Sequence, residues 1–149
     1  MDTHRIRPYR PKDVEQILDV WEDASGVGHP FLTESFVADE RVRIRDVYLP
    51  SAATWVLEER GRVVGFISLI DNEIGALFVE PKSHRRGFGR ALMEFAITQR
   101  RTLELEVFKD NAGARAFYEG CGFVVASERT HDETGHQMLR MTYDRDRLR

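Results

Sequence analysis

IGALFVEPKSHRRGFGRAL, residues 74–92, is where the reading of this chain begins. Leu77, Phe78 and Val79 form a short apolar strand, Pro81 ends it, and Gly87 and Gly89 sit where a loop must turn tightly into a helix. The first amides of a helix lack internal partners and stand at the positive end of its dipole, so a loop feeding such an end is an anion seat. Lys82, Arg85, Arg86 and Arg90 crowd round it. A triphosphate loop would need Gly-x-x-x-x-Gly-Lys-Ser/Thr, and Gly89 is followed by Arg90. A dinucleotide fingerprint would need a third glycine where Leu92 stands, although Glu106 falls about 20 residues on, where a ribose-binding acid belongs.

Upstream the period is that of strands. Thr54 to Glu59 and Val63 to Ile70 are rich in β-branched and aromatic residues, with Arg60-Gly61 as a tight turn between them. Asp71-Asn72 makes a second turn, so Glu73 to Glu80 returns as a third antiparallel strand. Downstream, Phe88, Ala91, Leu92, Phe95 and Ala96 repeat at helical spacing and predict a helix from Gly87 to about Arg100. Leu103 to Phe108 is the next strand, parallel to the one before because a helix separates them. Asn111 caps a further helix that ends before Gly120 and Gly122. Val124 to Glu128 and Gln137 to Tyr143 close the sheet as an antiparallel pair, and the charged tail from Asp144 is expected to fray.

At the other end, Arg5 to Arg7 reads as an edge strand ended by Pro8. Pro11 suits a first helical position, and Val14, Ile17, Leu18 and Trp21 place one apolar stripe on the helix that follows. Ser25 to Phe31 is expected to be a loop, and a second helix, acidic early and basic late, to run from Thr33 to Tyr48 and stop at Pro50. The order is strand, two helices, three antiparallel strands, helix, strand, helix, two strands: an α+β (mixed α/β) fold, with one parallel step in a mostly antiparallel sheet. That order argues against the dinucleotide reading, which wants βαβ units from the start.

With 149 residues, 42% hydrophobic and 32% charged, the chain reads as a single domain, residues 1–149, of ordinary globular composition. A net charge of −3 gives no overall field for nucleic acid, so the basic cluster is local and its partner a small anion. No apolar run suits a membrane span and no signal-peptide core follows Met1, which points to a cytoplasmic protein. The single cysteine, Cys121, excludes an internal disulfide and a cysteine-rich metal site. His131 and His136, without a third ligand, make a poor metal site, and no metal is expected.

Asn111 and Tyr118 are seven apart, which on a helix places them on one face about 10.5 Å apart along the axis, a spacing that suits a rod-shaped ligand. FVEPKSHRRGFGRAL together with VFKDNAGARAFYEGCGF resembles the GCN5-related N-acetyltransferases (GNAT), and the strand order resembles small bacterial members of that family. The resemblance covers the whole chain. It implies acetyl-CoA as cosubstrate, lying where the central parallel strands splay. The backbone of Phe78 and Val79 would meet the pantetheine and the amides of Arg85, Arg86, Gly87, Phe88, Gly89 and Arg90 its pyrophosphate. Asn111 would grip the pantetheine, Phe117 line it and Tyr118 sit by the thiol. One position departs: His84 stands where the family usually has Gln or Arg.

Amide formation needs a neutral amine, an oxyanion donor such as a strand amide near Val79, and a proton for the departing thiolate, which Tyr118 can supply as general acid. The acceptor is a primary amine, on a small molecule or a peptide, attacking directly in a ternary complex. For the base, Glu73, Glu80 and His29 are candidates, with Glu73 at the start of its strand put first, and each can instead be a surface charge or a packed imidazole. His29 and Phe31 are the residues expected to read the acceptor. Each group also has a plain structural alternative: Tyr118 as a half-buried aromatic, the arginines as a solvated face, Cys121 as a small packing residue. Two other functions stay open on the residues alone: a non-catalytic CoA-binding sensor of the same fold, and a dinucleotide-binding oxidoreductase using Gly87, Gly89 and Glu106.

Overall fold

The computed structural model describes residues 4–28 and 33–148. Along the chain come β1 (His4–Pro8), α1 (Val14–Gly28), α2 (Glu34–Arg43), β2 (Ala53–Glu59), β3 (Arg62–Ile70) and β4 (Glu73–Val79). They are followed by α3 (Phe88–Gln99), β5 (Thr102–Phe108), α4 (Ala112–Gly120), β6 (Val124–Thr130) and β7 (Gln137–Asp144). All seven strands join one sheet in the order β1-β2-β3-β4-β5-β7-β6. Every neighbouring pair is antiparallel except β4 and β5, the α+β arrangement expected from the element order.

Local chemistry explains the register. Arg60 and Gly61 have φ of 53° and 82°, two successive left-handed residues, the backbone that matches a two-residue hairpin turn to the twist of its strands. β3 is buried from Val63 to Leu69, so its apolar run continues without alternation because both faces of the sheet are covered. On one face α1 contributes Ile17, Val20 and Trp21 to a core with Val56, Val63 and Phe66. On the other, Leu92, Met93 and Ala96 of α3 pack with Leu57, Val64, Ile67, Leu103 and Leu105. Adjacent residues of β2 and β3 therefore serve opposite cores, as a pleat with period two requires.

β1 is fastened through a buried ion pair. Arg7 Nη1 and Nη2 donate to the Asp13 carboxylate, each at 2.9 Å, and Arg7 Nε donates to Glu58 at 2.9 Å. Asp13 also accepts the Arg10 amide at 2.8 Å, which locks the 3-10 turn Pro11–Asp13 that leads into α1. The Arg7 guanidinium holds the Asp13 carboxyl below the usual carboxylate range, against the opposing effect of burial.

Three expectations need correction. Ser25 to Gly28 are helical, the last turn of α1, because glycine weakens a helix without forbidding one; the rest of the expected loop, His29 to Phe31, lies outside the described residues. Pro50 does not stop the second helix. Beyond Arg43 the helical path widens into a π turn, Ile44–Tyr48, and Pro50 enters the next turn, Leu49–Ser51, near its N-terminal end, where its missing N–H costs no helical bond. The tail is also ordered: Arg145–Leu148 forms a 3-10 turn in which Arg145 Nη2 donates to the carbonyls of Ile97 and Arg100.

Candidate active site

The sheet nearly parts between β4 and β5. Their only pairs are Glu73 with Glu104 and Ile74 with Leu105, after which the strands diverge. Gly75, the next residue of β4, is bypassed in the pairing with β3, where Ser68 meets Ala76 and Leu69 meets Ile74. It is a β-bulge, and a bulge bends the strand that carries it. A cleft of about 840 Å³ fills the gap, lined by residues 74–79 of β4, 83–85 and 87–90 of the loop and α3, 105–108 of β5, and Asn111, Gly113, Ala114, Phe117 and Tyr118 at α4. Ala24 of α1 and Met138 of β7 line it as well. Since α1 and α3 cover opposite faces of the sheet, this cleft is open to groups from both.

The loop turns into α3 at Gly87, as the sequence predicts. Gly87 caps α3 with φ of 81°, a left-handed backbone, and a Cβ there would meet nothing within 4 Å. The need for glycine is conformational, not steric. Helical bonding begins with the Ala91 amide on the Gly87 carbonyl at 3.0 Å; His84 and Arg85 form a hydrogen-bonded turn closed at Arg86, and the amides of residues 87–90 meet no backbone carbonyl among the described residues. Such a row of free donors at a helix start fits a diphosphate.

The side chains divide differently from expectation. Arg85 and Arg90 line the cleft without an ion pair among the described residues, whereas Arg86 forms a two-pronged bond to Glu59 and stacks 4.6 Å over Phe88. Lys82 faces a separate hollow shared with Asp19 and Asp23 and takes no part in the seat. The ring of His84 lines the cleft with Nε2 donating to the Val79 carbonyl at 2.9 Å. In this chain, then, the departing position ties the loop back to the end of β4.

At the other wall, Asn111 Oδ1 accepts the Ala114 amide at 3.2 Å. Asn111 is thus the cap of α4, outside the helix proper, and the 10.5 Å helical spacing to Tyr118 does not apply to it; its Nδ2 keeps both protons for a ligand. The Phe117 ring lies 3.4 Å from where a Gly89 Cβ would be, and 5.5 Å from the Tyr118 ring. Burial pushes the Tyr118 phenol up to about 12, so it is protonated at neutral pH. Burial likewise raises the Cys121 thiol, which disfavours the thiolate a nucleophile needs.

The candidate bases fare unequally. Glu73 is absent from the lining; Arg140 Nη2 and Nη1 hold its carboxylate at 2.7 and 3.3 Å while Arg140 Nε reaches Glu104 at 3.2 Å. This bridge neutralises two acids that would otherwise face each other across the β4–β5 pairing. Glu80 is buried against Arg62 and Ser83 and is spent on the 3-10 turn Pro81–Ser83. His29 and Phe31 lie outside the described residues. The carboxylate that does line the cleft, alone of its kind among the described residues, is Glu106. Sequence spacing alone places it as a ribose-binding acid. The signal lay in TLELEVF, where Leu103, Leu105 and Val107 are buried and the acids must face the other way. Among the described residues no three His, Cys, Asp or Glu side chains cluster as a metal site, and no helix is long and apolar enough to cross a membrane.

Comparison with known proteins agrees with this geometry. Residues 50–125 match the acetyltransferase (GNAT) domain model. The chain is 37% identical to peptidyl-lysine N-acetyltransferase YiaC of Escherichia coli (strain K12) over 130 residues, which cover 87% of this chain and 89% of that protein. The solution structure of apo-form YjaB from E. coli superposes with a TM-score of 0.84 at 29% identity, covering 95% of this chain and 98% of that one. PaiA N-acetyltransferase from Thermoplasma acidophilum, solved with coenzyme A, shares the fold with a TM-score of 0.74 at 18% identity, covering 96% and 99%. These matches set aside the dinucleotide-binding oxidoreductase. They show instead that the chain belongs to the GCN5-related N-acetyltransferase (GNAT) family, enzymes that use acetyl-CoA.

Proposed function

We propose that this enzyme moves the acetyl group of acetyl-CoA to the side-chain amine of a lysine in a peptide or protein, by direct attack in a ternary complex. The observation that carries the reading is the cleft between β4 and β5, which offers Tyr118 from the α4 side and Glu106 from the opposite face of β5. A donor and an acceptor entering from opposite faces would meet there. Similarity to YiaC, whose name specifies peptidyl-lysine, supports the acceptor class. His29 and Phe31, between α1 and α2 in sequence, are proposed to contact the acceptor, and the cytoplasm is the proposed compartment.

Each residue has a task set by the reaction. A lysine ammonium has a reference pKa near 10.4 and must lose a proton before attack. Glu106 is paired with Arg129 at 2.7 and 2.8 Å, and this pairing holds its carboxyl below the usual range. It therefore stays charged, draws the ammonium and orients the water that carries its proton away to solvent. Arg129 is half exposed, so this pair is open to exchange with an incoming cation. Glu73 could act as base only on release from Arg140, which makes Glu106 the better candidate.

On the other side, Tyr118 donates a hydrogen bond to the departing sulfur. Direct transfer from a phenol near 12 to a thiolate whose conjugate acid lies near 8.5 is uphill by roughly three units. Stabilising the forming thiolate is thus the larger part of its role. The proton count closes because the amine releases one proton as the amide forms and the sulfur gains one. Tyr118→Phe is expected to lower kcat at neutral pH about a hundredfold while acetyl-CoA still binds by calorimetry. Mass-spectrometric detection of acetyl-lysine on a peptide panel tests the acceptor class, and wild-type protein that binds acetyl-CoA but modifies no lysine would refute it.

A further inference from the structure

The loop that leads into α3 turns on a residue that backbone preference does not favour. His84, at φ −63° and ψ 156°, and Arg85, at φ 67°, have the φ values of the two central residues of a type II turn, whose second central position favours glycine because φ there is positive. A non-glycine residue held in that region is strained, and such strain persists only where the surroundings fix it. The result is one of position: Arg85 and Gly87 line the cleft, and Gly87 caps α3.

Two side chains fix this turn, one on each side of Arg85. His84 Nε2, on the Val79 carbonyl at 2.9 Å, ties it to the end of β4. Arg86 points away from the cleft and is absent from its lining. Its Nη1 donates to Glu59 at 2.8 Å and its Nη2 to the second carboxylate oxygen. Glu59 is the last residue of β2 and is paired in register with His4 of β1 and Arg62 of β3, so the carboxylate stands on a fixed part of the sheet. The bond to Arg86 holds the Glu59 carboxyl below its usual range, which keeps it charged. The same guanidinium covers the buried ring of Phe88, whose other side chain contact with β1 is the His4 ring at 5.1 Å. Loop, first residue of α3 and end of β2 are thus fastened at one point.

We propose that Glu59 is a positioning residue for acetyl-CoA: through Arg86 it holds the turn at Arg85, and the amides that follow, in the arrangement that receives the diphosphate. This assignment rests on the diphosphate lying at the start of α3. Arg86 acts here as a tether and not as a phosphate ligand, because both of its terminal nitrogens face Glu59.

The test is Glu59→Gln, which keeps the size of the side chain and removes its charge. Binding of acetyl-CoA is measured by calorimetry, and binding of acetyl-pantetheine, the same thioester arm without the diphosphate, by NMR titration. The expected result is an acetyl-CoA Kd raised about fivefold, or about 1 kcal/mol, the upper range for an exposed pair, with the acetyl-pantetheine Kd and the melting temperature near wild type. A merely structural glutamate would weaken both ligands alike or neither. Were its role to hold the guanidinium back from the phosphate, Glu59→Gln would tighten acetyl-CoA. An acetyl-CoA Kd that is unchanged or lowered, or a loss shared equally by acetyl-pantetheine, would overturn the assignment while the placement of the diphosphate stands. Wild-type protein that binds acetyl-CoA no more tightly than acetyl-pantetheine would overturn that placement and the assignment together.

Discussion

Arg7, in β1, has its guanidinium filled by Asp13, Glu58 and the Pro8 carbonyl, whereas beside the β4–β5 cleft the amides of residues 87–90 meet no backbone carbonyl among the described residues. Both regions carry polar groups that folding withdraws at least partly from water. In the first, each group is answered by another part of the same chain, so its chemistry ends in holding the edge strand and α1 together. In the second, the complement is missing and must come from outside. Unsatisfied donors and acceptors gathered along one cleft mark what the protein binds; satisfied ones mark how it stands up.

The largest break in that contrast should come from Asp13→Ala. It strands a buried guanidinium and is expected to cost about 3–5 kcal/mol in chemical denaturation, with acetyl-CoA affinity of the folded fraction unchanged. The same pair fixes a sign with pH. Asp13 is depressed in the folded state, so its contribution is present above the ordinary carboxylate range and is lost as pH falls through the depressed value. An acid titration of stability should be flatter for Asp13→Ala than for wild type.

Glu106→Gln tests the seam with a smaller energy and the opposite pattern. Loss of the cleft carboxylate should lower kcat/KM for the amine about a hundredfold, or about 2.7 kcal/mol, while acetyl-CoA binding and melting temperature stay near wild type. The smallest effect is expected from Gly87→Ala. Space is open there, so the cost is the left-handed backbone alone, about 1–2 kcal/mol, seen as a modest loss of stability and weaker acetyl-CoA binding in the same titration. If Gly87→Ala weakened neither, the loop would not be the anion seat.

What could be read from the residues follows from which signals are local. Periodicity fixed the strands from Thr54 to Val79, and Gly87 and Gly89 marked the turn into α3, because backbone conformation depends on a few neighbouring residues. The second helix was misjudged at Pro50 because a proline in the first turn of a new helical segment has the same sequence signature as one that ends a helix. Glu106 was legible only in part. The alternation of TLELEVF turns it away from the core, but that β4 parts from β5 to leave a cleft in front of it is set by the sheet as a whole, and a strand acid does not announce what will face it.

The outermost strand, β6, is exposed along its whole length, with Val124 and Val125 among the most exposed large apolar residues described. An open strand of this kind invites a neighbouring molecule to add on and start an aggregate. Here the pairing with β7 skips Ala126, kinking the rim just past the two valines, and Glu128 and Arg129 follow with charges tied inward to Lys109 and Glu106. Arg129, which pairs with the cleft carboxylate Glu106, is thus also part of what keeps one copy of the enzyme from sticking to the next.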